Sequence, residues 1–175
     1  MLTENDLYQF LASHQIEYQR IEHPPVYTVE QANRYLLDQP GERTKNLFIC
    51  DEKKQRYFIL WVPSDKQVNF NPIGRELRLG KVRFGSPEKL KELLGLEPGS
   101  VTVLSLVNDT NNQVTLLADR TLWDCESFQC HPLVNTSTLV IRREDIERFF
   151  EMTGHTPRLI DVSEKPPAVE TGSVE

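Results

Sequence analysis

The sequence predicts a mixed α/β fold, a largely antiparallel sheet with helices packed on its outside. Three observations predict it. Strand-like apolar runs outnumber helical patterns and interleave with them irregularly, unlike the regular alternation of a parallel βαβ sheet. Residues 45–51 and 56–62 are two strand candidates separated only by a short charged turn, which reads as a hairpin. The chain has 175 residues, 38% apolar and 26% charged, enough to bury one core. The expected organisation is one domain over residues 1–163. Residues 164–175 are rich in Pro, Gly and charge and read as a disordered tail.

Each element has a local cause. Thr3 and Asp6 form a capping arrangement ahead of Leu7, Phe10 and Leu11, so a first helix is expected over 5–14. Residues 18–21 form a short strand candidate, and His23-Pro24-Pro25 breaks it. A short helix follows over 29–35, then a turn at Asp38-Gln39-Pro40-Gly41. After the hairpin, Asn71-Pro72 predicts a helix running to about Leu79, with Asn71 as cap. Residues 82–84 read as a strand. Ser86-Pro87 opens a helix that Gly95 closes. Pro98-Gly99-Ser100 turns the chain into the apolar run 101–107, and residues 114–118 and 139–141 read as strands. Residues 143–153 form an amphipathic helix ended by Gly154, and 158–162 a last strand.

Composition narrows the function. The net charge of −6 argues against a protein that grips long DNA or RNA by bulk electrostatics. It leaves room for one that holds a small part of an RNA. Between Arg75 and Lys91 six cations (Arg75, Arg78, Lys81, Arg83, Lys89, Lys91) face only Glu76 and Glu88. This stretch is either a solvated charged face or a phosphate contact. No apolar run approaches the roughly 20 residues of a membrane span. The N-terminus lacks an apolar signal core, so a cytoplasmic protein with no membrane partner is expected. The three cysteines, Cys50, Cys125 and Cys130, match no zinc spacing, and no metal or other cofactor is expected.

Three segments could carry chemistry. Cys130-His131-Pro132-Leu133-Val134-Asn135-Thr136-Ser137-Thr138 is polar where a buried strand would be apolar, as suits a site that holds a polar substrate. His131 could serve as base or donor near neutral pH, although a lone histidine is more often structural. Lys45, at the start of a strand, is either a solvated edge residue or a cation offered to a phosphate or ribose. Gly99 after Pro98 is either a simple turn or a place where main-chain N–H groups reach a carbonyl oxygen. No nucleophile elbow and no phosphate loop is present.

Taken together, Gly41-Glu42-Arg43-Thr44-Lys45-Asn46-Leu47-Phe48, Gly95-Leu96-Glu97-Pro98-Gly99-Ser100-Val101-Thr102 and His131-Pro132-Leu133-Val134-Asn135-Thr136 resemble the YbaK/ProX family of stand-alone editing domains. Within it the likeness is to the PrdX or ProXp-ala group, the alanyl-tRNA(Pro) deacylases. Glu151-Met152-Thr153-Gly154-His155-Thr156-Pro157-Arg158 matches that group's C-terminal helix exit. The resemblance spans residues 1–163 and implies a curved, barrel-like mixed sheet surrounded by helices. It implies hydrolysis of a wrong amino acid, alanine first, from the 3′ end of tRNA(Pro). A cysteinyl, seryl or threonyl deacylase and a non-catalytic module that binds tRNA or a synthetase are the alternatives. The implied partner is the acceptor end of tRNA(Pro), with prolyl-tRNA synthetase or an elongation factor as a further candidate.

By the same resemblance Lys45, Gly99 and His131 are the catalytic candidates. Asn46, Leu47, Phe48, Ser100, Leu133, Asn135 and Thr136 are the substrate-binding candidates. The chain departs from the family pattern at Val103, where the family's loop carries proline. The implied chemistry suits such a set. An aminoacyl ester is already activated, so the protein must orient it, stabilise an oxyanion and admit water. Leu47, Phe48 and Leu133 are expected to limit pocket size, and His131 to position more than to abstract protons.

Overall fold

The computed structural model describes residues 1–167. Helix α1 (Glu4–Ser13) begins at the expected capping box, with Thr3 as cap and Asp6 returning the bond. Strand β1 (Gln19–Glu22) and helix α2 (Val29–Leu36, capped by Thr28) follow. Strands β2 (Glu42–Cys50) and β3 (Tyr57–Pro63) form the expected hairpin. Its turn closes where Asp51 Oδ1 accepts from the N–H groups of Gln55 and Arg56.

Helix α3 (Phe70–Glu76) starts earlier than expected and ends earlier. Asn69, not Asn71, is its cap, and Asn69 Oδ1 accepts from the Asn71 N–H at 3.2 Å. Pro72 therefore falls inside the first turn, where a missing N–H costs nothing because that donor has no helical partner. Strand β4 (Arg83–Phe84) leads to helix α4 (Pro87–Leu94), capped by Ser86 and ended by Gly95. The apolar run after Gly99 is a 3-10 helix (Val103–Asn108), with Val103 to Val107 buried. Strand β5 (Val114–Asp119), a second 3-10 turn (Arg120–Asp124), β6 (Ser127–Cys130) and β7 (Ser137–Arg142) come next. Helix α5 (Arg143–Thr153) and β8 (Arg158–Ile160) complete the set.

The strands form one mixed eight-stranded sheet in the order β1-β7-β6-β2-β3-β5-β8, with β4 also paired to β2. Four pairings are antiparallel (β1·β7, β2·β3, β2·β4, β6·β7). Three are parallel (β2·β6, β3·β5, β5·β8). The end strands of this order, β1 and β8, do not pair with each other. Strand alternation splits the hairpin between two cores. Phe48, Ile59 and Trp61 join the larger one with α1, α4 and α5. Ile49, Phe58, Leu60 and Val62 join the smaller one with α3.

Ordered pairing runs past the expected domain end. Glu164 bridges Val68, and the Lys165 N–H bonds the Gln67 carbonyl at 2.8 Å. Residues 168–175 of the expected tail lie outside the described residues.

Candidate active site at an open strand edge

Along one edge β2 pairs with β3 from Thr44 to Cys50. Along the other it pairs with β6 only at Glu42 and Arg43, and with β4 only at Ile49 and Cys50. Between these two pairings residues 44–48 have no partner strand on that edge. The Phe48 carbonyl faces it, because it accepts the Gly85 N–H at 2.9 Å. The two-residue alternation of a strand puts the main-chain groups of Asn46 on the same edge. An unpaired edge offers main-chain N–H and C=O groups to whatever binds there.

A cavity of about 510 Å³ occupies this opening and is lined by β2 from Arg43 to Phe48. Gly99 and His131 line it from two other segments. The sheet and the α4–Gly99 connection thus bring Lys45, Gly99 and His131 to one cavity. The lining residues include the cations Arg43 and Lys45 and no carboxylate, in a chain of net charge −6. Such a lining favours an anionic ligand.

Lys45 stands in the middle of β2, not at its start, because the strand begins at Glu42. Burial lowers its pKa below the usual lysine range, and the charge of Asp65 acts in opposition. Burial likewise holds the His131 imidazole below the usual histidine range. The Ser137 main chain opposes that shift, and the neighbouring His23 adds to it. His131 Nδ1 is buried without a hydrogen-bond partner, as is Asn46 Oδ1. Gly99 has φ +88°, and a Cβ there would meet nothing within 4 Å. Backbone conformation, not crowding, demands the glycine.

The remaining expected contacts divide. Asn46, Leu47 and Phe48 line the cavity, whereas Ser100, Leu133, Asn135 and Thr136 do not. The Ser100 N–H closes a turn onto Glu97. Leu133 has φ +68° and packs against the larger core. The side chain of Asn135 donates to the Val26 carbonyl at 3.3 Å, and its own carbonyl accepts the Val26 N–H. The Thr136 carbonyl accepts from the His23 N–H. Thr138 Oγ1 and His23 Nε2 are 2.9 Å apart. The polar density after His131 therefore serves mainly to fasten the segment before α2, of which Val26 lines the cavity.

Sequence reasoning missed that segment, Arg43, and the β4 side of the cavity with Phe84, Gly85 and Leu90. The one signal available for Gly85 was its place between an apolar strand and the Ser86-Pro87 helix start. Of the basic stretch, Lys89 and Lys91 are engaged by Glu92 and Glu97.

Fold and site together define a mixed α/β domain with a cation-lined cavity at a gap in its sheet. The model of the aminoacyl-tRNA editing domain matches residues 23–149, and the chain belongs to that family. It is 37% identical over 157 residues to prolyl-tRNA synthetase associated domain-containing protein 1 of Danio rerio, covering 89% of this chain and 85% of that protein. It is 28% identical over 147 residues to the prolyl-tRNA editing protein ProX of Acetoanaerobium sticklandii, covering 84% of this chain and 90% of that protein. A solved structure described as a candidate trans-editing enzyme for prolyl-tRNA synthetase shares the fold. Its TM-score is 0.70 at 18% identity, over 94% of this chain and 99% of that one. No helix among the described residues is long and apolar enough to cross a membrane.

Proposed function

We propose that the protein is a trans-editing deacylase that hydrolyses alanine from mischarged tRNA(Pro). The observation that carries this reading is the convergence of Lys45, Gly99 and His131 on one cavity lined by cations and free of carboxylates. In this reading Lys45 holds the terminal adenosine by its phosphate or ribose. Water attacks the ester carbonyl carbon, and main-chain N–H groups of the Gly99 loop other than that of Ser100, which bonds Glu97, stabilise the oxyanion. The bond from that carbon to the ribose oxygen then breaks. The ribose oxygen leaves with a proton, and free alanine departs with the oxygen of water. His131, held neutral by burial, shapes the wall and positions water or substrate.

The selectivity follows from size. A synthetase pocket made for proline rejects a smaller residue by only about 1–3 kcal/mol, so a second and smaller site must remove the error. Leu47 and Phe48 both line the cavity and supply apolar walls for such a sieve. The substrate reaches the protein as the acceptor end of tRNA(Pro) in the cytoplasm, free or handed over by prolyl-tRNA synthetase or an elongation factor.

The test is deacylation by purified protein of tRNA(Pro) charged with alanine, cysteine, serine, threonine or proline. Turnover of the alanyl species above all others is expected. Preferential turnover of another species would reassign the substrate, and binding without turnover would overturn the enzyme reading.

A further inference from the structure

Phe84 is 64% exposed, yet it lines the cavity. Its position is built from three sides. In β4 it pairs with Ile49. The ring of Phe70 meets it edge-on, with centroids 5.5 Å apart. Next to it the Gly85 N–H is bonded to the Phe48 carbonyl, and Gly85 lies so close over the Phe48 ring that any side chain there would collide. The fold therefore holds an aromatic ring in water at the rim of the cavity.

Tyr27, 76% exposed, lines the same cavity, but no aromatic contact anchors its ring among the described residues. A pre-positioned ring loses less freedom on binding than a mobile one, so Phe84 is the better platform. Its surroundings select the occupant. Arg43 and Lys45 line the cavity, Arg83 is its chain neighbour, and no carboxylate is among the lining residues. Phosphates meet the cations, and an unpaired base meets the ring. This combination is how proteins hold single-stranded nucleic acid.

We propose that Phe84 is the stacking platform for the terminal adenine of the substrate's single-stranded 3′ end. This rests on the deacylase reading above and adds to it a contact with the base, remote from the ester. Stacking needs a π face, so an aromatic replacement keeps the role and an aliphatic one of similar size does not.

The experiment uses an acceptor-stem minihelix of tRNA(Pro), alanylated for kinetics and uncharged with 2-aminopurine as terminal base for binding. Wild-type protein should quench the 2-aminopurine fluorescence as the base stacks. Phe84→Leu should lose the quenching and raise KM about tenfold or more, with the loss falling on KM and not on kcat. Phe84→Tyr should restore both. Equal quenching and equal KM in Phe84→Leu would overturn the proposal and leave the ring to a protein partner. Equal loss in Phe84→Leu and Phe84→Tyr would overturn it as well, since the residue would then matter by shape alone. Wild-type protein that neither binds nor deacylates the minihelix would instead sink the deacylase reading itself.

Discussion

The hydroxyl of Thr102 donates a 2.9 Å hydrogen bond to the main-chain carbonyl of His131. It joins the connection after Gly99 to the segment that carries the histidine, two walls of one cavity. Thr102 is fully buried, and its oxygen also caps the 3-10 helix by accepting from the Leu104 N–H. Thr102→Val should leave the half-buried His131 carbonyl unpaired and cost about 1–3 kcal/mol. Denaturant unfolding should register that loss, and deacylation should fall with it. Thr102→Ser, which keeps the hydroxyl, should stay near wild type in both.

In the proposed deacylase Lys45 sets function against stability. Its pKa is lowered by burial, so between the folded and the ordinary lysine values the folded state binds fewer protons than the unfolded chain. Stability therefore rises with pH across that window, and the partly buried charge is a cost at neutral pH. Lys45→Met should raise Tm at pH 7 and abolish deacylation of alanyl-tRNA(Pro). Wild-type affinity for a non-hydrolysable alanyl minihelix should weaken at a pH below that at which an exposed lysine titrates. A Lys45→Met protein with full activity would remove this residue from the mechanism.

For His131 the signs concern acid. Burial lowers its pKa, so the stability it contributes is complete above the ordinary histidine pKa and is lost as pH falls through the lowered one. Thermal melts of wild type should drop on acidification below about pH 6.5. The drop should be shallower in His131→Gln. Rates should show no histidine step between pH 7 and 8, since the ring is already neutral there. Such a step, absent in His131→Gln, would show proton transfer by this ring.

Gly85 is a matter of space. A methyl group at this position would run into the ring of Phe48, which is 4% exposed and stacked on Tyr57. The ring is stacked on Tyr57 and can yield only toward the cavity it lines, so Gly85→Ala should cost about 1–3 kcal/mol, the usual penalty of overpacking. It should also push β4 from β2 and raise KM. Unchanged stability by urea titration would mean that β4 can shift freely.

Leu47 tests the sieve. It lines the cavity and is only partly buried, so truncation enlarges the pocket at modest cost to the fold. Leu47→Ala should begin to cleave prolyl-tRNA(Pro) while keeping activity on the alanyl species. Selectivity identical to wild type would place the size limit on other walls, such as Leu90 or Val101.

Much of this protein was legible in its sequence because the signals were local. The Thr3–Asp6 cap, the Ser86-Pro87 start and Gly95 stop of α4, and the hairpin of β2 and β3 all follow from neighbours a few residues apart. The order of Lys45, Gly99 and His131 also pointed to the family without any coordinates. At α3 the Asn71-Pro72 signal placed the cap two residues too late, because Asn69 takes that role.

Tertiary structure decided the rest, because it turns on long-range pairing. No local pattern says that β6 leaves β2 after Arg43, or that β4 joins it only at Ile49 and Cys50. That gap makes the cavity. The polar run from His131 to Thr138 read as a surface for substrate. In the fold only His131 reaches the cavity, while Asn135 and Thr138 meet Val26 and His23, more than a hundred residues away in the chain. Residue types declare what hydrogen bonds can be made. Which partners they find is settled only when distant strands are brought side by side.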